Sequence, residues 1–140
     1  MNDMDQPILL SSPPRDESKR PRIIMRAQYK RVAGITHIWQ PPTDVYETAE
    51  SIIVRAEIAG MAEAEFTISL ENRILMIYGR RTDSTGSRAY HQMEIRFGEF
   101  MSVVELAAPV IAEEISAEYQ DGFLHVNIPK LTPSSIKVEG

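Results

Sequence analysis

The chain has 140 residues, no cysteine and a formal net charge of −5. That length supports one domain with flanking segments, and the lack of cysteine excludes disulfides, Cys-ligated metal sites and thiol nucleophiles. The longest apolar runs, Ile8 to Leu10 and Ile74 to Tyr78, are far too short to span a bilayer, and Asp3 and Asp5 stand where a secretory leader would be basic. A cytoplasmic protein without stable membrane insertion is expected.

Charge is divided unevenly. Residues 1–40 hold seven basic against four acidic side chains, and residues 41–140 hold eight against sixteen. A basic arm on an acidic body can reach nucleic acid or anionic lipid, or it can lie on acidic surfaces of its own oligomer. The second reading is preferred and no nucleic-acid partner is expected, because no aromatic residue before Tyr29 offers a base-stacking platform.

Residues 1–41 read as an N-terminal arm, partly disordered. Pro7, Pro13, Pro14 and Pro21 lie among Ser, Asp, Arg and Lys, a composition that cannot fold alone. Ile8, Leu9 and Leu10 form a short apolar hook, readable as a sticky contact or as a stray triplet. Apolar residues return at Ile23, Ile24, Met25, Tyr29, Val32, Ile35, Ile38 and Trp39. Met25, Tyr29 and Val32 share a helical face and Gly34 can stop a helix, so a short amphipathic helix is expected there.

After Pro41-Pro42 the pattern becomes β. Asp44 to Thr48 is a short strand, and Ile52, Val54, Ala56 and Ile58 alternate with polar or outward residues until Gly60. Phe66, Ile68 and Leu70 alternate with Thr67 and Ser69, and Glu71-Asn72 turns the chain. Ile74 to Tyr78 is continuously apolar, which predicts burial on both faces. Further inward rows are Phe100, Val104 and Leu106, then Ile115, Ala117 and Tyr119. In the stretch Ala117 to Lys130, Asp121-Gly122 forms a tight turn because Gly accepts positive φ and Asp tolerates it. Leu124, Val126 and Ile128 then point inward, and Pro129 is expected to end the pairing. The whole is an all-β, antiparallel, immunoglobulin-like sandwich over residues 42–130.

Ordered along that region are Asp44-Val45-Tyr46-Glu47, Ala59-Gly60, Leu75-x-Ile77-x-Gly79, Glu94, Gly98-x-Phe100 and Leu106. The most specific element is Ala117-x-x-x-Asp121-Gly122-x-Leu124, leading to Ile128-Pro129-Lys130. Taken together, the region resembles the α-crystallin domain of the small heat-shock proteins of bacterial and plant type. The chain departs from that family at Ala59, where Pro is usual, at Ala107 after Leu106, again in place of Pro, and at Ser102, where Arg is common.

The resemblance implies a flexible tail, residues 131–140, whose Ile136-Lys137-Val138 matches an Ile-x-Ile/Val motif. Residues two apart in a strand face one side, so Ile136 and Val138 can fill a hydrophobic groove. Each such burial is worth roughly 1.5–3 kcal/mol against about 1–2 kcal/mol per residue ordered. One tail binds weakly, and many together hold a particle that still exchanges subunits. Phe66, Ile68, Leu70, Ile115, Ala117 and Tyr119 are the expected groove residues. The long polar segment 80–96 is expected to carry a strand, Ser87, Arg88, Ala89, Tyr90, His91 and Gln92, exchanged with a partner to make a homodimer, the unit of a larger homo-oligomer; a monomer's surface loop is the alternative.

No catalytic constellation is visible. His37, His91 and His125 lack metal-ligand spacing, no phosphate loop is present, and Ser134-Ser135 has no paired base. No catalytic, metal or cofactor residue is therefore assigned, and the protein is not expected to be an enzyme. The resemblance implies an ATP-independent chaperone of the stress response, a holdase for unfolding clients. Client contacts are expected at Ile8, Leu9, Leu10, Ile23, Ile24, Met25, Tyr29, Ile35, Ile38 and Trp39. The rivals are a small co-chaperone-like adaptor and a basic-arm binder of nucleic acid or membrane surface.

Overall fold

The turn at Asp121-Gly122 forms as the sequence predicts. Both residues have positive φ, 53° and 83°, the backbone of a two-residue type I′ hairpin whose twist matches the flanking strands. It sits in a computed structural model that describes residues 19–24 and 38–132. Among the described residues eight strands follow in chain order: β1 (Arg22–Ile24), β2 (Thr43–Glu47), β3 (Ser51–Glu57), β4 (Phe66–Glu71), β5 (Ile74–Arg81), β6 (Gly98–Glu105), β7 (Ser116–Gln120) and β8 (Phe123–Pro129). They build a sandwich of two four-stranded sheets, ordered β1-β4-β5-β6 and β2-β3-β8-β7. All pairings are antiparallel except β1 with β4, which is parallel.

Period-two alternation sets which side chains meet. On β3 and β8 the register pairs Ile52 with Ile128, Val54 with Val126 and Ala56 with Leu124, and all six are buried. In the facing sheet, Ile68 lies opposite Ile77 and Leu70 opposite Leu75. Each fully buried branched side chain contributes about 1.5–3 kcal/mol, so these rows hold the two sheets together.

Gly79 shows why one position in that row must be small. It lies between Phe66 on β4 and Phe100 on β6, whose rings meet edge to face with centroids 5.9 Å apart. A Cβ at residue 79 would stand 2.5 Å from Phe100 Cζ, well inside van der Waals contact.

Two expectations are corrected. Ile74 to Tyr78 is not buried on both faces: Leu75 and Ile77 point into the core, whereas Ile74 is 43% exposed, because only one side of this sheet is covered by the other. Pro129 does not end the pairing. It is opposite Ser51 at the end of β8, and it accepts a hydrogen bond from the Ile111 N–H through its carbonyl, so its missing N–H does not break the strand. Ile23 and Ile24, named among the client contacts, belong to β1; the helix expected on Met25, Tyr29 and Val32 lies outside the described residues, as do Ile35, Ile8, Leu9, Leu10, Ile136 and Val138.

Candidate peptide-docking edges

The described residues gather no cluster of His, Asp and Glu able to hold a metal, and no helix among them is long and apolar enough to cross a membrane. His91 is exposed, and His125 lies beside the Phe123 ring, 6.3 Å between centroids. The features with interactive potential are the edges of the sandwich and the segment joining β5 to β6.

The seam between β4 and β7 belongs to different sheets. The residues expected to form the floor and the wall of a groove meet there. Phe66, Ile68 and Leu70 are buried, while Ile115, Ala117 and Tyr119 are partly buried and pack against the core. Tyr119 fixes the wall: its hydroxyl donates to the Ile58 carbonyl at 2.8 Å and accepts from the Met61 N–H at 3.3 Å, and its ring meets Phe66 at 5.1 Å. The outer edge of β4 is occupied by β1, with Arg22 opposite Thr67 and Ile23 opposite Ile68. Ile23 packs against the core and Pro21 is buried. Beside this strand a hollow of ≈ 250 Å³ is lined in part by Arg20, Glu63, Glu118 and His125.

At the opposite end of that sheet Trp39 covers β6. Its N–H donates to the Glu99 carbonyl and its carbonyl accepts from the Met101 N–H. Trp39 was expected among client contacts; instead the residue is 8% exposed and its ring packs on Phe100 at 5.5 Å, because a backbone bridge to β6 turns it into the core. Ile38 next to it is 43% exposed.

Residues 82–97 are exposed throughout, and Ser87 to Gln92 pair with no strand among the described residues. Tyr90, Met93, Ile95 and Phe97 are exposed apolar side chains on this segment. Two polar centres shape it. Asp83 accepts from the Thr85 hydroxyl at 2.7 Å, from Arg88 at 2.6 Å and from the Tyr90 hydroxyl at 3.0 Å. The Thr85 bond, helped by Tyr90 and Arg88 and opposed by desolvation, holds the Asp83 carboxyl below the usual carboxylate range. At the root, Arg81 donates through its guanidinium to the Arg96 carbonyl and, at 3.2 Å, to the Ala59 carbonyl. The same group lies over the rings of Trp39 and Phe97, 4.7 and 5.2 Å from their centroids. A further open edge is β2, where Val45 and Tyr46 are 48% and 41% exposed.

With the sheet edges, the β4–β7 seam and the exposed segment 82–97 in place, the comparison with known proteins decides the family. The model of the Hsp20/alpha crystallin family matches residues 44–139. The chain belongs to this family. It is 30% identical over 92 residues to small heat shock protein C2 of Rickettsia felis, covering 64% of this chain and 60% of that one. It is 30% identical over 102 residues to a probable 15 kDa heat shock protein of Leptospira interrogans, covering 73% and 78%. The chain thus spans less than two thirds of the Rickettsia protein. In structure it is similar to a small heat-shock protein from Xylella fastidiosa, with a TM-score of 0.61 at 28% identity, covering 74% of this chain and 100% of the other.

Seen as a small heat-shock protein domain, the chain's departure at Ser102 acquires a physical account. Ser102 is fully buried on β6, and its hydroxyl lies 2.7 Å from the Thr43 hydroxyl. A hydroxyl pair between the sheets fills the position where the resemblance leads one to expect Arg. Arg81 and Asp83 were missed by sequence reasoning. Their signal was weak, since both stand in a polar run and their partners, Trp39, Ala59 and Arg96, are distant in the chain.

Proposed function

We propose that this protein is an ATP-independent holdase, which binds unfolding proteins and prevents their aggregation under stress. The observation that carries the reading is a closed sandwich of the Hsp20/alpha crystallin family with apolar side chains outside its core, Tyr90, Met93, Ile95 and Phe97, on one exposed segment. In this reading Ser87 to Gln92 pair with the open β2 edge of a second copy, giving a strand-exchanged homodimer. Ile136 and Val138 of the tail dock along the β4–β7 seam of a neighbouring dimer and build the larger homo-oligomer, which works in the cytoplasm. That the Xylella fastidiosa protein has a distinct high-order structure supports assembly as part of the reading. Many weak contacts suit a task that needs breadth of clients and later release.

Clients bind the arm, Ile8 to Leu10 and Ile23 to Ile38, exposed when heat loosens the assembly. No catalytic residue, metal or cofactor takes part. The test is light scattering of a heat-aggregating client without ATP, with particle mass measured for the wild type and for Ile136→Ala/Val138→Ala. Wild-type protein is expected to form a large particle and suppress scattering at near-stoichiometric ratios, and the double variant to fall to dimers. A monomer that protects nothing would sink the proposal. A large particle indifferent to the double change removes the tail contact alone.

A further inference from the structure

The β4 edge already holds a ligand, and that ligand is a piece of the same chain. Pro21, Arg22 and Ile23 run parallel to β4 with the first buried, the second exposed and the third partly buried. Register places Ile23 opposite Ile68, a floor residue, and Arg22 opposite the half-buried Thr67. The pattern is apolar, basic, apolar, with the two apolar side chains on one side as strand geometry requires. The tail carries the same pattern in Ile136-Lys137-Val138. The neighbouring hollow, with Glu63 and Glu118 beside Arg20, gives acidic company to the basic residues of an incoming segment.

We infer that Pro21-Arg22-Ile23 is a resident self-ligand of the β4 edge, and that the tail triplet of a second copy enters only when this arm strand leaves. The inference rests on the tail reading given above. One row of backbone groups on an edge strand pairs with one segment at a time, so the two occupants exclude each other. The arm is tethered to its site and competes at an effective concentration of order mM. The tail's apparent affinity falls by the fraction of edges the arm leaves open. Heat that releases a three-residue strand therefore exposes Ile23 to clients and opens the edge to tails in one event.

The test uses the full chain with Ile136→Ala and Val138→Ala, so that its own tails do not compete. A fluorescent peptide with the sequence of residues 133–140 is the probe. Because the chain has no cysteine, Arg22→Cys with Thr67→Cys makes a single possible intrachain bridge across a registered pair, which non-reducing electrophoresis verifies. Oxidised protein is expected to bind the peptide at least tenfold more weakly than the same sample after reductant, and Ile23→Asp to bind it more tightly than the parent. Equal binding by oxidised and reduced protein overturns the resident-ligand inference and leaves the tail site standing. Failure of the reduced protein and of Ile23→Asp to bind at all overturns the tail site and the inference with it.

Discussion

The Ser102 hydroxyl lies 2.7 Å from the Thr43 hydroxyl, joining β6 to β2 across the sandwich. Thr43 already donates its one hydroxyl proton to the Pro41 carbonyl at 2.9 Å, so Ser102 is the donor in the pair. Ser102→Ala removes that donor and leaves Thr43 partnered, a loss of about 0.5–1.5 kcal/mol. Ser102→Arg places a long cation at a position with no exposure, and is expected to cost about 4 kcal/mol or to prevent folding. Denaturant melts of both variants check the order; an arginine tolerated without loss would contradict the buried geometry.

Gly79→Ala tests the ring contact over β5. The added methyl cannot fit without moving Phe100, so a loss of about 1–3 kcal/mol is expected. The companion Gly79→Ala/Phe100→Leu should recover part of it, because the clashing atom belongs to the ring. Thermal unfolding of the four members of this cycle gives the coupling energy.

Residues with strict alternation were legible from the sequence, since the side chains of β3, β4 and β8 repeat every two residues and their inward rows are those found buried. The I′ turn at Asp121-Gly122 was legible for the same local reason. What the pattern does not encode is which partner covers an edge. A three-residue strand such as Arg22–Ile24 has too few positions to show a period, and its place beside β4 depends on contacts 45 residues away in the chain. Trp39 was misplaced for that reason, its burial being fixed by a bridge to Phe100. The apolar run Ile74 to Tyr78 misled in the opposite sense: composition suggested two covered faces where the fold supplies one.

Arg81 anchors both ends of the 82–97 segment by touching Arg96, Phe97 and Trp39 at once. Arg81→Lys keeps the charge but loses the planar fork and the stacking face. The expected cost is about 1–2 kcal/mol, with amide exchange accelerated from residue 82 to residue 97 and nearly unchanged in β3 and β8. Hydrogen exchange read by mass spectrometry resolves the two regions; uniform acceleration across the domain would show that Arg81 supports the core and not the loop.

The order of this segment is expected to depend on pH from both sides. Asp83 is held below the ordinary carboxylate value, chiefly by its bond from Thr85, so its contacts favour the ordered loop above that value and are lost as pH falls through the lowered pKa. Tyr90 is raised, chiefly by its bond to Asp83, so its contribution is present below the ordinary phenol value and is lost as pH rises through the raised pKa. NMR of the Tyr90 ring should report one loop conformation between these limits. Asp83→Asn should abolish the acid limb; an acid limb unchanged in that variant would assign it to another carboxylate.

The end of the sandwich sets a length scale for assembly. Pro129 is still paired, the Lys130 N–H donates to the Glu50 carbonyl, the Leu131 N–H donates to the Pro109 carbonyl, and the Lys130 ammonium is buried beside Glu47 at 3.3 Å. The chain is therefore pinned through Leu131, and only four residues lie between that point and Ile136. The five steps from Leu131 to Ile136 span at most about 18 Å when fully extended, at ~3.3–3.6 Å per residue. Any edge that receives this tail must come within that radius of the pinned exit. A short leash from a fixed post selects among particle shapes by distance alone, before any side chain has been recognised.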